Sequence, residues 1–191
     1  MTEKKKTDRR TLRTKHRLSQ AMVGLVKEKR FDDITVQDLI DRADIGRATF
    51  YTHFRDKEDM LQKDWERFLD GLAAQINWEN AGKTSFVPVV FLFAHLQDFH
   101  RFYQGLVRSR KAESSFRDGA AYLSRKLETA LDARAKHKTA IPTSILATFL
   151  ASELFVLLKW WLDQGMPYTP EQMDEIYHKL VTPAVQNYFA G

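Results

Sequence analysis

Cysteine is absent from the 191 residues, which excludes disulfides and thiolate metal sites. Strand-like alternation of useful length is missing as well, so the chain reads as all-α. No apolar segment follows the basic start MTEKKKTDRR; it does not read as a secretory signal, and the cytoplasm is the expected compartment. The chain holds no HExxH helix, no glycine-rich phosphate loop and no nucleophile elbow. Its six histidines are scattered, and His95 and His100 read as core or surface residues, not metal ligands. The expectation is no catalytic residue, no cofactor and no metal. The most apolar stretch, PTSILATFLASELFVLLKWWLDQG, is interrupted by Glu153 and Lys159. Its unbroken apolar runs fall well short of the roughly 18 residues of a membrane span, so it reads as a buried bundle helix.

What the chain does have is positive charge, unevenly placed. Net charge is +5 and the sequence pI about 9.4, a weak pointer to an anionic partner. The first thirty residues carry eleven basic side chains, among them Lys4, Lys5, Lys6, Arg9, Arg10 and Arg13, against three acidic ones. That surplus exceeds the net charge of the whole chain. A basic run is commonly a solvated tail, but this one leads directly into a periodic helix.

That first helix is marked by Leu18, Ala21, Met22, Leu25 and Val26, an i, i+3, i+4, i+7, i+8 series, and is expected from about Arg9 to Arg30. In ITVQDLIDRA, Thr35 caps a second, two-turn helix. Asp38 completes a capping box, and Val36, Leu39, Ile40 and Ala43 form the apolar face. The turn ADIG follows. Its Asp44 tolerates a left-handed backbone, and Gly46 is an acceptable N-cap for the next short helix. In GRATFYTHF, a helical wheel puts Phe50 and Phe54 within about 40° of each other, on one inward stripe. Opposite them lie Ala48, Thr49 and Thr52, flanked by Arg47 and Tyr51 on one side and His53 on the other. A face small at its centre and long, polar or cationic at its rims suits the major groove of duplex DNA, with base edges on the floor and phosphates along the walls. A longer helix followed by two short ones around a tight turn is the anatomy of a helix-turn-helix reader, whose second short helix enters the groove.

Asp56 then caps a fourth helix, with Asp59 three residues on, and Met60, Leu61, Trp65, Phe68, Leu69 and Leu72 carry it toward Ile76. The polar NWENAGKTS ends it. The expected division is a helix-turn-helix domain over 1–56, a linking helix and loop over 57–82, and a C-terminal domain over 83–191 for effector binding and dimerisation. Within the last, a helix break is expected near His100, and Phe116, Ala120, Leu123, Leu127 and Leu131 mark another helix. Gly165 and Pro167 stop the most apolar helix. TPEQ opens the final one, with Thr169 as cap and Gln172 completing its box. The expected total is about nine helices.

The run ITVQDLIDRADIGRATFYTHFRDKEDML resembles the N-terminal domain of the TetR family of bacterial transcriptional regulators. The resemblance implies that helices one to three bind DNA, that helix four links them to a larger helical domain, and that the last two helices pair with a second subunit. Position by position, it implies that Arg47, Ala48, Thr49 and Thr52 approach bases, while Thr35, Tyr51, His53 and Lys57 hold phosphates. Two positions depart from the usual pattern. Asp44 stands where glycine is usual, and Gly46 where a serine or threonine usually begins the reading helix, which removes one hydroxyl from the DNA side. The segments FLFAHLQDFHRFYQGLV and KWWLDQGMPYTPEQM are similar to the C-terminal region of regulators related to the dihydroxyacetone-kinase coactivator group.

One such reading head touches only a few base pairs, so useful affinity calls for two copies on a palindrome. The apolar content of Leu150, Leu154, Phe155, Leu158, Trp161 and Leu162 exceeds what one helix stripe buries, which places part of it against a second subunit. Phe91, His95, Phe99, Phe102, Tyr103 and Trp160 are the candidate lining of an apolar effector pocket. The expected function is a homodimeric repressor binding a palindromic double-stranded DNA operator, with a small-molecule effector and no membrane. The alternative is a protein-docking coactivator of a metabolic enzyme system that binds no operator itself.

Overall fold

The computed structural model describes residues 9–81, 85–100, 103, 110–134 and 141–190, with backbone alone for 110–115 and 190. Among the described residues there are eight α-helices and no strand. They are α1 (Arg9–Glu28), α2 (Val36–Ala43), α3 (Arg47–His53), α4 (Lys57–Ala74), α5 (Val90–Asp98), α6 (Arg110–Asp132), α7 (Thr143–Asp163) and α8 (Pro170–Ala190). Short 3-10 turns at Phe31–Asp33 and Trp78–Asn80 complete them. The chain divides into two compact units, Met1–Asp64 and Trp65–Gly191, so α4 begins in the first and continues into the second.

In the first unit, the stripe of α1 buries Leu18, Ala21, Met22 and Leu25, and these meet Leu39, Ile40 and Ala43 of α2 in one small core. The capping box forms as the sequence requires: the Asp38 N–H donates to Thr35 Oγ1 at 3.1 Å, and the Thr35 N–H to Asp38 Oδ2 at 2.7 Å. α2 ends at Asp44, whose φ of 49° is left-handed; Arg17 of α1 reaches across to its carboxylate at 2.8 Å. Arg42 pairs with Glu28 through two bonds of 2.9 and 2.5 Å. Its guanidinium crosses the backbone at Gly24 so closely that a Cβ there would sit 3.2 Å from it. A hydrogen bond of 2.6 Å from Ser19 to Asp64 ties α1 to α4 within this unit.

The second unit is built around α7, against which α6 and α8 lie, with α5 on α8. By length and composition alone α7 could span a membrane, but half of its apolar window is buried inside the protein, as in a core helix. One expectation is corrected here. Leu150, Leu154, Phe155, Leu158, Trp161 and Leu162 are at most 5% exposed within a single chain, so they are intramolecular core and not a subunit interface. The reason is that α7 is packed from two sides at once. The apolar residues it leaves outside are Ile145, Phe149, Val156 and Trp160, a separate stripe at i, i+4, i+11 and i+15. α7 stops in the left-handed residues Gly165 and Met166, and α8 starts with the Thr169–Gln172 box.

Ser85, Asp174 and His178 meet in this unit, yet as a staple and not a nucleophile triad. His178 Nε2 accepts from the Phe86 and Val87 N–H groups at 3.1 and 3.3 Å, while Nδ1 lies 2.8 Å from the Asp174 carbonyl. Asp174 in turn accepts from Ser85 and from the Val90 N–H. Nε2 holds the segment before α5 to α8, while the Nδ1 contact within α8 orients the ring. Burial raises the Asp174 carboxyl pKa, but bonds from His178 and Ser85 outweigh it and the net shift is downward. On α6, a Cβ at Gly119 would come within 2.8 Å of the Phe155 and Trp65 rings.

Candidate nucleic-acid interface

α3 is only seven residues long, too short to hold itself together by backbone bonds alone. Tertiary anchoring does that. Phe50 and Phe54 are 0 and 2% exposed and their rings meet at 5.8 Å, burial that contributes roughly 2–3 kcal/mol apiece. Gly46 caps the helix with its carbonyl, which accepts from the Thr49 and Phe50 N–H groups at 2.9 and 3.2 Å, but offers no side chain. At the other end Lys63 donates to the His53 carbonyl at 3.2 Å and to Asp59 at 2.8 Å, its ammonium lying over the Phe54 ring. A cation there complements the negative end of the helix.

With the phenylalanines inward, Arg47, Ala48, Thr49, Tyr51 and Thr52 are exposed and His53 is half-buried. All six therefore share the outer side and rims of one two-turn helix. The Thr52 hydroxyl donates back to the Ala48 carbonyl at 2.9 Å, so its proton is engaged within the helix. The Arg47 guanidinium lies 5.9 Å from the Tyr51 ring centre and donates to Gln37 Oε1 at 3.4 Å, while the other end of that amide donates to Asp41 at 2.7 Å. The amide polarity is fixed by its neighbours, oxygen toward the guanidinium and nitrogen toward the carboxylate. Gln37 escaped the sequence reading because its partner lies ten residues on, in another helix.

Thr35 is exposed at the start of α2. Its hydroxyl donates to Asp38 at 2.7 Å, and Asp38 also receives Lys29 at 2.7 Å. Bonds from Lys29 and then Thr35 hold the Asp38 carboxyl well below the usual carboxylate range. Lys57 stands apart from the others: its ammonium donates to the carbonyls of Phe31, Asp32 and Ile34 at 2.8, 3.0 and 2.7 Å. Partial burial, then the nearby Lys15 and Lys63 charges, lower the His53 pKa below its ordinary 6.5. Lys4, Lys5 and Lys6 lie outside the described residues.

The candidate effector pocket comes together only in part. His95, Phe99 and Tyr103 gather, with Phe68 stacked on His95 at 4.6 Å and Trp65 on Phe68 at 5.6 Å. Tyr103 Oη lies 3.3 Å from His95 Nε2. Burial lowers the His95 pKa and raises that of Tyr103. Phe91 and Trp160 do not join them: they are 56 and 43% exposed, Phe91 on the outer side of α5 and Trp160 stacked on Tyr168. Phe102 lies outside the described residues. Trp65 and Phe68 were legible only as the apolar stripe of α4, which hid their role in the aromatic group. A separate open groove of about 540 Å³ runs along α6 and α7, walled by Phe116, Ala120, Phe155 and Val156 with Arg117 and Lys159 in its lining.

A helix-turn-helix of this geometry, on an all-α chain with a second helical unit, defines a DNA-binding transcription regulator. Residues 21–63 match the family model described as bacterial regulatory proteins, tetR family, and residues 88–183 match one described as transcriptional regulator C-terminal region. The chain belongs to the TetR family, whose members are regulators and not enzymes. Over 61 residues it is 39% identical to YxbF, an uncharacterised HTH-type transcriptional regulator of Bacillus subtilis (strain 168), an alignment covering 31% of this chain and 16% of that protein. Among solved structures it is similar to the dihydroxyacetone kinase operon activator DhaS, at a TM-score of 0.63 and 20% identity over 92% of this chain and 97% of that one. A TetR transcriptional regulator from Streptococcus agalactiae aligns at a TM-score of 0.54 and 28% identity, over 91% of this chain and 96% of the other.

Proposed function

We propose that the protein is a homodimeric repressor that binds a palindromic operator by laying α3 in the major groove, in the cytoplasm. The observation that carries this reading is the exposed face of α3, small at Ala48, Thr49 and Thr52 and flanked by Arg47, Tyr51 and His53, on its buried phenylalanine anchor. Thr49 or Ala48 meets a thymine methyl and Arg47 a guanine edge, while Thr35, Tyr51 and His53 lie against phosphates. Basic residues of α1 and of the segment before it add affinity through counterion release. A bound dimer covers the duplex that a polymerase would need.

Pairing is supported by the stripe of apolar side chains that α7 leaves outside, Ile145, Phe149, Val156 and Trp160, which share one face of that helix. Such a face calls for a partner. The grouping of Trp65, Phe68, His95, Phe99 and Tyr103 supports a small, largely apolar effector, with the His95–Tyr103 pair as its polar contact.

Selection of bound fragments from random duplex tests the whole reading. A palindrome with half-sites about one helical turn apart is expected. On that duplex Tyr51→Phe weakens binding to every operator variant, whereas Thr49→Ala changes relative preference among bases. Equal losses for Thr49→Ala on specific and random duplex defeat the assignment of Thr49. A binding constant that does not move with salt sinks the operator reading and favours docking to a protein partner. Transcription that rises on addition of the protein replaces repression with activation.

A further inference from the structure

We propose that Lys57 is a positioning residue, which fixes the turn leading into α2 and neutralises no phosphate. The inference rests on the DNA-binding mode just described and departs from the role the sequence resemblance implies for this position. An ammonium has three N–H donors, and in Lys57 all three find carbonyls within 3.0 Å: Phe31, Asp32 and Ile34. Phe31 and Asp32 belong to the 3-10 turn Phe31–Asp33 and Ile34 is its C-cap, so the cation faces the carbonyl end of the turn. The same ammonium lies 4.7 Å from the Phe31 ring centre. A phosphate would have to compete with four contacts already made.

The consequence is felt at the Ile34–Thr35 peptide. Its oxygen is held by Lys57 at 2.7 Å and its N–H by Asp38 at 2.7 Å, so the plane is gripped on both edges. Thr35 follows in an extended conformation, φ −102° and ψ 162°, that aims its hydroxyl into the capping box. Lys57, the first residue of α4, thereby sets how α2 begins and where Thr35 stands against the duplex.

Salt-dependent titration of the full chain on the selected operator separates the two roles. For Lys57→Met, binding about tenfold weaker is expected, from the lost charge-assisted bonds, with the slope of log affinity against log salt unchanged. A slope shallower by about 0.9 per chain, with the Thr35 amide still protected from exchange, overturns the proposal. Lys57→Arg keeps the charge, but a planar guanidinium does not fit the three-carbonyl seat; it is expected to weaken binding as Lys57→Met does, and native affinity overturns the proposal. This arm also decides the matter if Lys57→Met does not fold. Adding Thr35→Val to either variant costs less than it does in the native chain; strictly additive losses count against action through Thr35. If the native chain itself shows no salt-dependent binding, the operator reading falls, yet the seat stays testable. Faster exchange of the Thr35 amide in Lys57→Arg supports it, and unchanged exchange overturns it.

Discussion

His53 is the residue at which pH enters. In the free protein partial burial, then Lys15 and Lys63, hold its pKa below 6.5, so near neutrality the ring is uncharged. A phosphate beside it favours the imidazolium and raises the pKa of the bound state. Binding therefore takes up a proton, and affinity rises as the pH falls below neutrality. Isothermal titration in buffers of different ionisation heat would record this uptake. His53→Gln is expected to abolish the His53 share of it; an unchanged proton count would remove His53 from the phosphate contacts. At the turn, Asp44 occupies the left-handed conformation in which glycine is usual, and Arg17 engages its carboxylate at 2.8 Å. Gly46 has an ordinary φ of −72°, so nothing in its backbone requires glycine.

Among elements, the start of α4 gathers several charges around one buried carboxylate. Asp59 is 6% exposed and receives Lys63 at 2.8 Å, the Arg55 guanidinium at 2.9 Å and the Arg55 N–H at 3.0 Å. The Lys63 bond chiefly, against the cost of burial, brings its pKa down to about 2. A depressed carboxyl pKa contributes stability that is complete above the unfolded value near 4 and lost as pH falls toward 2. Thermal melts between pH 5 and 2 should show the first unit weakening through that window. Asp59→Asn should melt lower at pH 5 and show a flatter acid profile; an unaltered profile would refute the assignment. The Arg55 and Lys63 bonds to Asp59 were not read from the sequence, but other local devices were legible there. Capping boxes, the Asp44 turn and the Phe50–Phe54 stripe depend on residues three or four apart, and that spacing is written directly in the chain. Contacts between distant residues and the faces of an apolar helix were not legible. The seat of Lys57 joins residues more than twenty positions apart, and spacing carries no trace of it. The faces of α7 were misassigned because a helix apolar nearly all round has no polar side to orient it.

For the whole molecule, the stripe Ile145, Phe149, Val156 and Trp160 is where a second copy is expected. A charge placed there would be buried and unpaired in a dimer but solvated in a monomer. Val156→Glu should give a monomer by light scattering, with native helical content by circular dichroism, and lower operator affinity by at least about a hundredfold. A dimer that survives the change would move the interface elsewhere. Gly119, where α6 meets the Phe155 and Trp65 rings, works like a feeler gauge in the second unit. The clearance between α6 and that aromatic pair is thinner than one methyl group, so Gly119→Ala would lever the helix outward or swivel two rings. Any ligand that enlarges or closes this gap would read the same scale, and an alanine in its place would report, without a ligand, what such a displacement does to the protein.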